Sequence, residues 1–377
     1  MILPGTTLGV LGGGQLGRMF TAAALTMGYE VIVLDPDPQS PAGRIASAHI
    51  AADYSDAEAL DSFARRCAAI TTEFENVPAA TLETLARRCI VRPGAKAVAI
   101  VQDRILEKTF LRDHGFATAP FAIVRNAVDL SAALGNVGLP AILKVARLGY
   151  DGKGQVRIDN ADDALRAWDA VKHAPCVLER LLPLDSEVSV VLARGADGTI
   201  ACWPVGENKH RNGILDVTLV PARVGTNVAR EAETLAQQIA MKLDYVGVMA
   251  VEFFLSHGVL RVNEIAPRPH NSGHFTLDAC ITSQFEQQVR ALCGLPLGET
   301  RLLSPVAMVN LLGDLWREGR APSWSSLLAQ PNVKLHLYGK RQARPGRKMG
   351  HYSVLAPTAE QALTQAQAIQ QTLAGKI

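Results

Sequence analysis

Several features that would place the chain in a special environment are missing from its sequence. No apolar run among its 377 residues approaches the roughly 20 residues that a bilayer-spanning helix requires. Lys plus Arg number 38 and Asp plus Glu 36, and this near-neutral balance excludes an overall electrostatic footprint for nucleic acid. The amino terminus lacks the basic segment and the cleavage site of a secretory signal. We therefore expect a cytoplasmic protein that has neither a membrane nor nucleic acid as a partner.

Cysteine is scarce and widely spread. The six cysteines form no CxxC pair, whereas disulfide frameworks and thiolate zinc sites usually show tighter spacing. We expect them to be reduced and mostly buried.

The length predicts two or three domains. Strand and helix patterns alternate over residues 1–98, which is typical of βαβ units and a parallel sheet. Residues 99–300 are predicted to form a mixed α and β region, and residues 301–377 are predicted to hold further strands and a terminal helix. Within the middle region the sequence predicts a helix over 102–114. Antiparallel strands are predicted over 187–193, 200–206 and 216–221.

A glycine motif follows the first predicted strand. Gly12, Gly14 and Gly17 match GxGxxG, and Asp35 ends the next strand. This is the dinucleotide fingerprint in its expected context. The alternative is that the glycines only form a tight strand-to-helix turn in a nucleotide-fold domain, and the rest of the chain favours that alternative.

A second glycine loop, at 149–155, has the sequence GYDGKGQ and lies between two predicted strands. Three glycines in six residues can turn backbone N–H groups toward a polyphosphate. Lys144 on the preceding strand and Lys153 in the loop add cationic donors. The alternative is an ordinary hairpin without a ligand, and the presence of Lys144 on the adjacent strand disfavours it.

Carboxylates lie on two apolar strands that are predicted to form a hairpin. Glu252 belongs to VMAVEFF, and Asn263 and Glu264 belong to LRVNEIAPR. A carboxylate in an apolar setting is costly unless it is paired or bound to a cation. Two carboxylates and an amide oxygen suit Mg²⁺. Solvent-facing or salt-bridged glutamates are the alternative.

Taken in order, these motifs resemble the ATP-grasp ligases, and within them the 5-(carboxyamino)imidazole ribonucleotide synthases of purine biosynthesis. Four strings carry the resemblance: GGGQLGRM (12–19), GYDGKGQ (149–155), NEIAPRPHNSGH (263–274) and RPGRKMGHY (344–352). They are distributed over the whole chain, and the third is the most discriminating.

The resemblance implies an ATP-grasp fold of the α/β and α+β classes, with an N-terminal nucleotide-fold domain and a small C-terminal domain. A lid subdomain would occupy about 117–180, and the protein would be a homodimer. The implied reaction joins bicarbonate to 5-aminoimidazole ribonucleotide with ATP and Mg²⁺. Carboxyphosphate would form first, and the ribonucleotide amine would capture either that intermediate or CO₂ released from it.

The resemblance also implies site residues. The ATP contacts would be Arg104, Lys144, Gly149, Tyr150, Asp151, Gly152, Lys153, Gly154, Gln155, Glu179, Glu187, His210, Asn263 and Glu264. The Mg²⁺ ligands would be Glu252 and Glu264. The substrate site would contain Tyr150, Asp151, Lys153, Arg268, His270, Lys340 and Arg347. Catalysis would depend on Asp151, Lys144 and Arg268.

Two assignments within this set stay open. Asp151 could orient or deprotonate the amine, or it could only cap the turn. Lys153 stands where related sequences commonly have arginine, and lysine keeps the charge but loses bidentate geometry.

Three other functions are alternatives to the ligase. A formate-using or biotin-carboxylating relative is disfavoured by the string at 263–274 and by the basic segment at 340–348. An NAD-dependent oxidoreductase rests on the first glycine motif alone. A non-catalytic nucleotide-binding regulator would bind ATP without turnover.

Overall fold

The computed structural model describes residues 1–149, 153–317 and 319–375. Within these ranges, no helix combines the length and the apolar composition needed to cross a membrane.

The N-terminal region is a parallel sheet flanked by helices. Its strands are β1 (Thr7–Leu11), β2 (Glu30–Leu34), β3 (Ala48–Ile50), β4 (Ala69–Thr72) and β5 (Ile90–Val91), in the order β3-β2-β1-β4-β5. Its helices are α1 (Gln15–Thr26), α2 (Ala57–Arg66), α3 (Ala79–Ala86) and α4 (Ala95–Val101). The nearly fully buried strands β1, β2 and β4 are what a doubly covered parallel sheet requires. The predicted βαβ organisation is confirmed.

A smaller antiparallel sheet follows the helix α5 (Arg104–Asp113), which begins where the Asp103 side chain accepts from the Ile105 N–H. This sheet contains β6 (Phe121–Val124), β7 (Ala141–Val145), β8 (Gln155–Ile158) and β9 (Cys176–Arg180), in the order β6-β9-β7-β8. The helices α6 (Ala127–Val137) and α7 (Ala164–Ala170) close its apolar face around Leu130 and Trp168.

The third sheet is long and antiparallel. Its strands in chain order are β10 (Ser186–Arg194), β11 (Ile200–Cys202), β12 (Gly206–Arg211), β13 (Ile214–Val220), β14 (Gly247–Ser256), β15 (Val259–Ala266), β16 (Val306–Leu312), β17 (Val333–Leu337) and β18 (Lys348–Leu355). They are arranged as β15-β14-β10-β12-β13-β16-β18-β17, with β11 paired to β10. Because β13 pairs with β16, the C-terminal strands extend the sheet of the middle region. The domain divisions near residues 98 and 300 stay a prediction.

Helices cover the third sheet on both sides. They are α8 (Thr226–Lys242), the short α9 (Thr276–Ala279), α10 (Gln284–Cys293), the short α11 (Ser325–Leu328) and α12 (Ala359–Leu373). Phe285, Val289 and Leu292 of α10 lie in the same apolar cluster as Leu8 and Phe20 of the N-terminal region. Burying apolar area at this junction stabilises one arrangement of the two sheets. The site described next lies around the same junction.

Candidate functional site

The first glycine motif is filled by the chain's own carboxylates. Gly14 and Gly17 donate their backbone N–H groups to Glu73 at 2.8 and 2.9 Å, and Gly13 donates to Asp35 at 2.7 Å. A Cβ on Gly17 would lie 2.5 Å from the Gly12 carbonyl, so α1 can begin this close to β1 only with glycine there. Amides already bonded to carboxylates do not favour a pyrophosphate. The geometry therefore favours the structural interpretation of this motif over NAD binding.

The predicted ATP contacts Lys144 and Glu179 meet on adjacent strands, β7 and β9. The Lys144 ammonium donates to Glu179 Oε2 at 3.0 Å, and the Lys108 ammonium of α5 lies 3.5 Å from the same oxygen. Burial alone would raise the pKa of Glu179, but Lys108 and Lys144 lower it to about 2. The two cations thus keep this buried carboxylate ionised.

The carboxylate hairpin forms as predicted, between β14 and β15. Glu252 and Glu264 are directly opposite each other, a position in which side chains lie within contact distance. The register then shifts so that Val262 faces Phe253, which leaves Asn263 as the extra residue of a β-bulge. A bulge re-aims side chains, and the Asn263 amide donates to Glu252 Oε2 at 3.3 Å.

The donor set of this hairpin fits a divalent cation. Burial raises the pKa of Glu252 to about 7, and the facing Glu264 carboxylate adds to the shift. Asn263 Oδ1 is buried and has no hydrogen-bond partner among the described residues. Glu264 Oε2 accepts a hydrogen bond from Arg104 Nη1 at 3.1 Å. The Glu264 side chain is more exposed than that of Glu252. Two facing carboxylates and one unsatisfied amide oxygen are ligands that Mg²⁺ prefers.

His210 and Glu187 form a neighbouring pair. His210 Nδ1 lies 3.0 Å from Glu187 Oε2. Burial would lower the pKa of His210, but the adjacent Glu187 carboxylate and the nearby Glu252 raise it. The pair is positioned by a second register shift, between Lys209 and His210 on β12.

Arg268 and His270 follow β15 and lie beside the hairpin. The Arg268 guanidinium bonds Glu75, which follows β4 of the N-terminal sheet. His270 Nε2 lies 3.5 Å from Glu252 Oε1. Burial lowers the pKa of His270 well below its usual value, and Arg268 and Lys348 lower it further. Burial thus favours the neutral form of the imidazole that lies beside the predicted metal ligand Glu252.

The basic segment 340–348 leads into β18. The Lys340 ammonium donates to the Lys348 carbonyl at 2.8 Å, and Arg347 Nη1 donates to the Gln342 carbonyl at 2.9 Å. The first bond places Lys340 beside Lys348, whose charge contributes to the lowered pKa of His270. Among the described residues, no contact or charge effect links Arg347 to His270.

The second glycine loop connects β7 to β8. Val145 donates its N–H to the Gly154 carbonyl at 2.9 Å, and Lys144 is opposite Gln155. Gly149 precedes the turn and Lys153 is exposed within it. Tyr150, Asp151 and Gly152 lie outside the described residues, so their predicted roles stay predictions.

Four charged residues of this region were not predicted from the sequence: Glu73, Glu75, Glu107 and Lys108. Glu73 and Glu75 follow β4 at the carboxyl edge of a parallel sheet, which is where such sheets bind ligands. That position is the signal that could have found them. In the sequence, Glu107 and Lys108 have the pattern of ordinary polar residues on a helix surface. Only the structure shows that both side chains are buried.

Comparison with known proteins first defines the class of protein to which this chain belongs. Residues 109–285 match the ATP-grasp domain family. Residues 5–102 match the ribonucleotide synthetase preATP-grasp domain, and residues 306–365 match the phosphoribosylaminoimidazole carboxylase C-terminal domain. With the paired lysines and the carboxylate hairpin, these matches define an ATP-grasp ligase.

Similarity to individual relatives narrows the assignment from this class to one family. The N5-carboxyaminoimidazole ribonucleotide synthase of Brucella melitensis is 46% identical over 94% of this chain and 97% of its own length. A solved N5-carboxyaminoimidazole ribonucleotide synthetase in its ADP complex superimposes with a TM-score of 0.93 at 42% identity, covering 98% of this chain and 97% of that one. The Aspergillus clavatus synthase in complex with ADP and 5-aminoimidazole ribonucleotide gives 0.89 at 32% identity, covering 99% of both chains. The chain belongs to the N5-carboxyaminoimidazole ribonucleotide synthase family, which confirms the resemblance and the predicted fold class.

Proposed function

We propose that the chain carboxylates 5-aminoimidazole ribonucleotide with bicarbonate and ATP, giving N5-carboxyaminoimidazole ribonucleotide, ADP and phosphate in purine biosynthesis. The observation that carries the proposal is the joining of three predicted groups at one junction: Lys144 with Glu179, Glu252 with Glu264, and Arg268 beside His270. The Aspergillus relative, which aligns along the full chain, holds ADP and the ribonucleotide together.

The reaction needs charge neutralisation and positioning more than a covalent nucleophile. Glu252, Asn263 and Glu264 would hold Mg²⁺, which when bound offsets phosphate charge as a Lewis acid. The Lys144 ammonium and the amides of the 149–155 loop would neutralise the remaining charge on ATP. Glu179, His210 and Glu187 would orient the nucleoside end, with Arg104 beside the phosphates.

The carboxyl acceptor would lie on the opposite side of the hairpin. Lys340 and Arg347 would bind the ribonucleotide phosphate, with Arg268 completing this phosphate clamp, and His270 would line the same substrate site. Tyr150, Asp151 and Lys153 would complete the site from the glycine loop and help to exclude water from the labile carboxyphosphate. We also propose the three-domain division near residues 98 and 300, a homodimer and a cytoplasmic location, as the family resemblance implies.

The test is ADP release from ATP and Mg²⁺ with bicarbonate and the ribonucleotide added separately and together. We expect turnover to require the ribonucleotide and labelled bicarbonate carbon to appear in the trapped product. ADP release that is indifferent to the ribonucleotide would assign a different acceptor to this ATP-grasp enzyme. No ATP turnover in any combination would contradict the proposal.

Replacing Lys144 tests the ATP side of the site. We expect Lys144→Ala to weaken ATP use roughly 10- to 100-fold, because one charge-assisted bond is worth about 1.5–3 kcal/mol. Lys108 still faces Glu179 in this variant, so the fold should persist. Steady-state kinetics with varied ATP measure the effect, and the exposed Lys242→Ala is the control. ATP kinetics equal to those of the control would remove Lys144 from the site.

Replacing Arg347 tests the ribonucleotide side. We expect Arg347→Ala to raise the ribonucleotide KM at least about tenfold, the effect of one lost bond to a charged phosphate, and to change the ATP KM much less. Arg341→Ala, which removes the same charge from an exposed position of the same segment, should change neither. Equal effects of Arg347→Ala on both KM values would place Arg347 outside the phosphate site.

A further inference from the structure

β15 carries backbone groups on the edge away from β14, and these must be satisfied from outside the hairpin. β15 is the first strand in the order of its sheet and pairs with β14 on one side. Its other edge faces α5 and the segment before β6, where Val262 donates its N–H to the Ala117 carbonyl at 2.8 Å. The polar groups that flank Glu264 on this edge are the Asn263 carbonyl and the Ile265 N–H. Buried backbone groups of this kind need partners.

Two adjacent side chains of α5 supply those partners. The Lys108 ammonium donates to the Asn263 carbonyl at 2.8 Å, and the Ile265 N–H donates to Glu107 Oε1 at 2.6 Å. They replace the hydrogen bonds that a neighbouring strand would make. One turn earlier on the same helix, Arg104 bonds the Glu264 side chain. Glu264 is therefore held at its carboxylate and on both sides of its backbone by one helix.

These contacts are fully internal. Glu107 is 2% exposed and Lys108 is 0% exposed. A buried charge is costly unless it is paired and hydrogen-bonded, and apolar side chains could fill the same space under an ordinary helix. The same Lys108 ammonium lies 3.5 Å from Glu179, which Lys144 also bonds. Lys108 therefore connects the bulged strand to the predicted ATP contacts on β7 and β9.

We infer that Glu107 and Lys108 are positioning residues that hold the Asn263 bulge, and with it the carboxylate of Glu264 and the amide of Asn263, in the geometry that binds the magnesium complex of ATP. The inference rests on the proposed function for the identity of the ligand. Neither residue need touch Mg²⁺ or ATP, because both act through the backbone of β15. Partners that orient metal ligands in this way typically account for 10- to 100-fold in metal affinity.

The test is calorimetric binding of ATP to the full chain, with Mg²⁺ and with EDTA, in the absence of ribonucleotide. We expect Glu107→Leu to weaken binding of the magnesium complex about tenfold or more and to change metal-free ATP binding less than about threefold. Glu107→Gln keeps an acceptor for the Ile265 N–H and should restore the magnesium-dependent affinity. Arg112→Met, which removes an exposed charge from the same helix, should leave both affinities unchanged.

A purely structural role would lower the melting temperature without this split. Equal affinities for the magnesium complex in Glu107→Leu and Glu107→Gln would overturn the inference. If Glu107→Leu does not fold, Lys108→Met is compared with Arg112→Met, and an unchanged magnesium-dependent affinity in Lys108→Met overturns it as well. Wild-type protein that binds the magnesium complex but never carboxylates the ribonucleotide would contradict the proposed function alone.

Discussion

Glu264→Gln is expected to lower kcat by roughly a thousandfold while the fold persists. Charge stabilisation by a bound metal is worth several kcal/mol in the transition state, and this substitution removes one of the two facing carboxylates that would hold it. The amide keeps the size of the side chain but can no longer form the ion pair with Arg104. Initial rates at saturating ATP and ribonucleotide, with Mg²⁺ varied, measure the loss.

Two comparisons make this result interpretable. Glu231→Gln, at an exposed position of α8, removes the same charge from the same region and should leave kcat unchanged. The melting temperature of Glu264→Gln should stay close to that of the wild type, because Glu264 is partly exposed. Full activity of Glu264→Gln across the Mg²⁺ range would show that the metal assignment is wrong.

Elements with a strong local pattern could be predicted from the sequence. The helix expected over 102–114 is α5 at Arg104–Asp113, and the apolar runs of the N-terminal region are strands of a parallel sheet. The carboxylate hairpin was also predictable, because a glutamate inside an apolar strand contradicts its surroundings unless it has a function. Patterns of this kind depend only on residues close together in the chain.

The strand that carries His210 shows where local pattern fails. The sequence predicted a strand over 200–206, whereas the structure has two strands there, Ile200–Cys202 and Gly206–Arg211. The second has the sequence GENKHR, without an apolar alternation, and it is a strand because β10 and β13 pair with it on both sides. His210 was assigned by family resemblance, and tertiary pairing is what makes its position extended.

Contacts between distant segments were beyond prediction from one sequence. Glu73 reaches the glycine motif from 56 residues away, and Lys108 reaches Asn263 across 155 residues. The bulge at Asn263 also has no local signature, since it is defined by the register of two strands. The chemical roles of the site residues could be predicted from the sequence, but the groups that hold those residues in place could not.

Arg268 connects the carboxylate hairpin to the N-terminal sheet, and its replacement has a large expected effect on both stability and activity. Its guanidinium bonds Glu75, and both side chains keep less than a quarter of their surface exposed. Burial alone would raise the pKa of Glu75, and Arg268 lowers it below the usual value. Arg268→Met leaves that carboxylate without its cation, so we expect a loss of about 3 kcal/mol in the free energy of unfolding, measured by urea denaturation.

Adding Glu75→Gln to the Arg268→Met variant separates the effect of Arg268 on stability from its effect on turnover. Replacing both members of a buried ion pair by neutral side chains of similar volume is often nearly neutral, so the double variant should regain most of the lost stability. Its turnover should stay at least about a hundredfold below the wild type, because the guanidinium that is proposed to bind the substrate and assist catalysis is still missing. If turnover returns together with stability, Arg268 only holds the N-terminal sheet against the hairpin, and its proposed role at the substrate is wrong.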